Sequence, residues 1–89
     1  MLPKNENFYY AARPEDVRNL IQNILVQQNW QGKQLSRDEK EFVIKTLFDR
    51  DIFSRKKSIP LVAKELKITR QTIYVYLKKF MTLNSSLHL

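Results

Sequence analysis

The chain has 89 residues, no cysteine, one glycine and three prolines, which bounds it to one small domain and excludes a disulfide framework, a thiolate metal site and a turn-rich β fold. Its net charge of +7 is unevenly placed: residues 1–53 carry eight Lys/Arg and eight Asp/Glu, whereas residues 54–89 carry eight basic residues and one acid, Glu65. A core this small leaves little room for a deep enzyme pocket, and the basic excess points to a polyanionic partner, nucleic acid or an acidic membrane surface.

Residues 1–13 read as an N-terminal extension without sustained period, carrying the aromatic run Phe8-Tyr9-Tyr10. A first helix is expected over about 14–29. Val17, Leu20, Ile21, Ile24 and Leu25 follow the spacing of one buried stripe. Pro14, Glu15 and Asp16 suit its first turn. Gln31 to Gln34 is a connection in which Gly32 alone can take positive φ without cost.

Ser36-Arg37-Asp38-Glu39 fits a capping box and opens a second helix. Leu35 acts as its hydrophobic staple. Phe42, Val43, Leu47 and Phe48 form the buried stripe, with Ile44 at its edge, and the helix ends near Arg50 or Asp51. Ile52 and Phe53 tuck into the core. After the basic connection Ser54 to Lys57, Ser58 reads as an N-cap and Pro60 falls in the first turn of a third helix ending at Leu66. Thr69 caps a fourth helix that runs to about Met81, and residues 82–89 read as a flexible tail. The expected fold is thus all-α, a three- to four-helix bundle over 14–81.

The segment 59–80 meets the steric needs of a helix-turn-helix, in which two short helices meet through a tight turn and the second lies in the major groove of DNA. Ala63 is the small residue at the crossing, and Ile68 plugs the turn. Val62, Leu66, Ile68, Ile73 and Tyr76 fall at −1, +3, +5, +10 and +13 from Ala63; Leu77 and Phe80 complete the buried face. An ordinary helical bundle is the bland alternative, and the basic charge on the same segment weighs against it. Lys67 stands where the turn often has Gly, at a cost of roughly 1 kcal/mol if its φ is positive.

Geometry then fixes the exposed face of the second helix. Arg70 and Gln71 sit at its N-terminal end, where Arg can bind guanine and Gln adenine with two hydrogen bonds each. Tyr74, Val75 and Thr72 complete the expected base-reading set, Thr72 against a thymine methyl. Lys56, Lys57, Ser58, Thr69, Lys78 and Lys79 are the expected phosphate contacts, which set register without reading sequence. Tyr76 is better explained as core.

Leu35 to Lys40, Ile52-Phe53 and Val62 to Leu77 resemble the C-terminal DNA-binding region of YheO-like transcriptional regulators. Those proteins join a PAS-like sensor domain to a helix-turn-helix, so the resemblance implies sequence-specific DNA binding and transcription regulation. It covers Leu35–Leu77 and carries no ligand sensing to this chain, which reads as an excised domain, a truncated homologue or a stand-alone regulator. The family usually has Gly near Asp51 and Lys57. The turn region is also similar to the DNA-binding end of resolvase-type recombinases.

Double-stranded DNA is therefore the expected partner. The rival reading is a protein–protein or homodimerisation module using helix 14–29. An enzyme is not expected, since the single histidine is His88 and no Gly-rich phosphate loop is present. Neither a cofactor, a metal nor a small-molecule ligand is expected. No apolar run approaches the ~20 residues of a membrane span, and the N-terminus lacks the order of a signal peptide, so the expected location is cytoplasmic.

Overall fold

The computed structural model describes residues 12–87, with side chains to Thr82. Phe8, Tyr9, Tyr10 and His88 lie outside the described residues. Four α-helices follow in order: α1 (Pro14–Gln28), α2 (Arg37–Asp49), α3 (Ser58–Leu66) and α4 (Arg70–Leu87), with a 3₁₀ turn at Ile52–Ser54 between α2 and α3. Among the described residues there is no strand, so the fold is all-α. No helix among them is long and apolar enough to cross a membrane.

Each boundary has a local cause. Pro14 starts α1, with Glu15 and Asp16 in its first turn. Asn29 ends it at φ 61°, and the Asn29 and Trp30 N–H groups return to the Val26 and Leu25 carbonyls. Asparagine is, after glycine, the residue that takes this left-handed cap most readily. At the start of α2 the full capping box forms: Glu39 N–H donates to Ser36 Oγ at 3.2 Å, and Ser36 N–H to Glu39 Oε1 at 2.8 Å. Lys33 Nζ donates to Glu39 Oε2 at 2.7 Å. That ammonium, and then the Ser36 N–H, hold the Glu39 carboxyl below its ordinary range.

One core joins the four helices. Val17, Ile21 and Ile24 of α1 meet Val43, Ile44 and Leu47 of α2, Val62, Ala63 and Leu66 of α3, and Ile73, Leu77 and Phe80 of α4. The apolar stripe of α1 is therefore spent inside the chain. Val17, Ile21 and Ile24 are buried and Leu20 and Leu25 partly so; Val26 is the large hydrophobic that α1 leaves exposed.

Three expectations of packing are corrected. Ile44 is fully buried and Phe42 is 42% exposed, so α2 is rotated to centre its inner face on Val43, Ile44 and Leu47. Phe42 instead meets the edge of Trp30, with ring centroids 5.5 Å apart. Helix α4 does not stop at Met81 but continues to Leu87, because no proline or glycine interrupts it. Ser58 is not an N-cap. Lys57 precedes the helix, and Ser58 is its first helical residue, on the same inward face as Val62 and Leu66.

A candidate DNA-binding face on the last two helices

The turn between α3 and α4 is closed by backbone geometry. Ile68 N–H donates to the Ala63 carbonyl at 3.0 Å and Lys67 N–H to the Lys64 carbonyl at 3.3 Å. This pair of bonds is the Schellman arrangement, which needs a left-handed residue at Lys67; its φ is 58°. The side chain of Ile68 is half-buried and packs on the core. The next residue, Thr69, caps α4: its Oγ1 accepts from Thr72 N–H at 3.1 Å, and its carbonyl accepts from Ile73 N–H.

The face that α4 turns outward follows from what it buries. Ile73, Leu77 and Phe80 point into the core, so Arg70, Gln71, Tyr74, Val75 and Lys78 are exposed. Tyr74 and Val75 are 55% and 61% exposed, much for an aromatic and a β-branched residue in so small a domain. No acidic residue occurs anywhere in α4. Thr72 is half-buried. Tyr76 is also half-buried and stacks on Phe80, with centroids 6.3 Å apart, in keeping with a packing role.

Thr69 and Thr72 share one hydrogen bond, Oγ1 to Oγ1 at 2.9 Å. Two hydroxyls hold two protons and that bond uses one. One hydroxyl proton is therefore left over at the N-terminus of α4, whichever residue donates.

The basic residues divide into two groups. Arg70, Lys56, Lys57 and Lys78 make no ion pair among the described residues, and all are exposed. Lys79 is engaged: its Nζ donates to Glu41 Oε2 of α2 at 2.9 Å. The charge expected at a phosphate thus ties α4 to α2. Ser58 is corrected more firmly. It is 1% exposed, and its buried Oγ has no hydrogen-bond partner, so its hydroxyl cannot reach a phosphate. Its neighbours Lys56 and Lys57 remain at the surface. The Lys56 carbonyl accepts from Ala12 N–H at 2.8 Å, which pins the chain leading into α1 beside this basic turn.

Two positions were legible only through the resemblance. Asp51 and Lys57, where similar proteins carry Gly, both have φ near 60° (61° and 63°). Nothing in hydropathy or charge marks them.

A short helix, a Schellman turn with an apolar plug, and a capped second helix with a basic outer face define a helix-turn-helix domain. The comparison with known families agrees. The chain matches an HTH domain family over residues 16–78 and belongs to it. No curated protein and no solved structure matches the chain. The match reaches back to the first turn of α1, consistent with α1 and α2 being parts of the same folding unit as the helix-turn-helix.

Proposed function

We propose that this chain is a sequence-specific DNA-binding domain of a transcriptional regulator of the YheO-like kind, with α4 as the helix that enters the major groove. The observation that carries the reading is the outer face of α4, which joins Arg70, Gln71, Tyr74, Val75 and Lys78 with no carboxylate among them. Arg70 and Gln71 at its N-terminal end are the base readers, each able to make two hydrogen bonds to one base edge. Thr72 and Val75 offer methyl groups to thymine, and Tyr74 lies at the centre of the same face. Lys56, Lys57, Lys78 and the spare hydroxyl of the Thr69–Thr72 pair are the phosphate contacts. Lys79 acts chiefly through Glu41, by fixing the angle of α4.

The resemblance of Leu35–Leu77 to YheO-like regulators supports the regulatory role, and the basic C-terminal half supports a polyanionic partner. The test is a titration of isotope-labelled protein with duplex DNA at low and moderate salt. Salt-sensitive amide shifts are expected on Lys56, Lys57 and Thr69 to Lys78. Shifts confined to α1, or none at all, would overturn the reading.

A further inference from the structure

Helix α4 has two flanks, and they differ in what lies against them. On one, Tyr74 and Lys78 share a cleft with Asp51, Ser54 and Ile59, the last two bracketing the segment Arg55 to Ser58 that carries Lys56 and Lys57. On the other, Thr72, Val75 and Tyr76 share a cleft with Arg37 and Lys40 of α2, floored by Ile68. The sequence gives no sign of this second basic pair, because Arg37 and Lys40 lie in the charge-balanced half of the chain. The fold brings them beside the outer face of α4.

We propose that Arg37 and Lys40 form a second phosphate-binding wall, which takes the DNA strand on the side of α4 opposite Lys56 and Lys57; this rests on α4 entering the major groove. A major groove is bounded by two phosphate backbones, so a helix lying in it meets anions on both flanks. The carboxylates of the same stretch are drawn away from the pair. Glu39 is held by Lys33 at 2.7 Å and by the capping box, and Glu41 is held by Lys79 at 2.9 Å. Asp38 and Glu41 line a different cleft, with Phe42, Lys45 and Phe80. Arg37 and Lys40 themselves make no ion pair among the described residues.

The test is the salt dependence of binding to a duplex, compared among the wild type, Lys78→Gln, and the double variant Arg37→Gln with Lys40→Gln. Each lost phosphate contact lowers the log–log slope by about 0.9, so the double variant is expected to lose about 1.8 and Lys78→Gln about 0.9. The charge-conserving pair Arg37→Lys with Lys40→Arg keeps the wild-type slope, which separates lost charge from damaged folding. A double variant with the wild-type slope, while Lys78→Gln lowers it, overturns this inference and leaves the groove reading standing. Wild-type protein that binds no duplex overturns both.

Discussion

Lysine is a strained choice for a left-handed backbone position, yet the chain makes it at both ends of α3, at Lys57 and Lys67. The strain is about 1 kcal/mol for each, and glycine would remove it. If Lys57 contacts phosphate, stability and binding pull in opposite directions there. Lys57→Gly is expected to raise the melting temperature by roughly 4–8 °C and to weaken duplex binding at low salt. Thermal melting followed by a binding titration checks both, and undiminished affinity would remove Lys57 from the interface. Ser58 next to it makes the opposite case, since its orphaned hydroxyl lies under the basic surface rather than on it. A buried hydroxyl without a partner costs on the order of 1 kcal/mol. Ser58→Ala should therefore melt higher and bind DNA as the wild type does; a lower melting temperature or lost affinity would show that the hydroxyl has a role.

At the scale of elements, what the sequence makes legible is what local chemistry decides. Ser36 with Glu39, Pro14 with its two acids, and Thr69 before α4 each mark a helix start by a mechanism confined to one turn. Thr69→Ala removes the cap that Thr72 N–H needs and should cost about 1 kcal/mol, read as a lower denaturation midpoint; an unchanged midpoint would mean the cap contributes nothing. The capping box of α2 also has a pH signature. The Glu39 carboxyl sits below its ordinary value in the folded chain, so its contribution is present above the ordinary carboxylate range and is lost as pH falls through the lowered value. Acid melting from neutral pH to about pH 3 should thus narrow the gap between wild type and Glu39→Gln. A constant gap would contradict the assignment. Other features escaped local reading because they depend on neighbours. Whether Phe42 or Ile44 faces inward is set by how α2 lies against α1 and α4, not by the spacing of its own residues. Asp51 and Lys57 are left-handed because the 3₁₀ turn must bring Ile52 into the core and still launch α3. Ser58 has the composition of a cap, but the chain enters α3 one residue earlier and carries it inward with Val62.

Over the whole molecule, the helices divide the work. Helix α2 supplies the wall that holds α4 at a fixed angle, through Phe48 against Phe80 at 5.6 Å, the Lys45 ammonium over both rings, and the Lys79–Glu41 bridge, while α1 packs on α3 and α2. Helix α3 and its turn set where α4 begins. The acids are concentrated on α1 and α2, and α4 is left with basic, polar and apolar groups on its open side. Such an asymmetric field steers a polyanion towards one face and makes its association rate fall with added salt. The stripe Val17 to Leu25 is legible from its spacing as a buried face, and the fold packs it against α2 and α3. If the N-terminal end of α4 reads base pairs, as proposed, removing Arg70 should change sequence preference at one position. The most direct test is selection of bound duplexes from a random pool by the wild type and by Arg70→Ala in parallel. The wild type should enrich a defined motif, and Arg70→Ala should keep that motif except at one base pair, where it loses a preference of about 1–3 kcal/mol. The same motif from both proteins, or no enrichment by the wild type, would contradict the account.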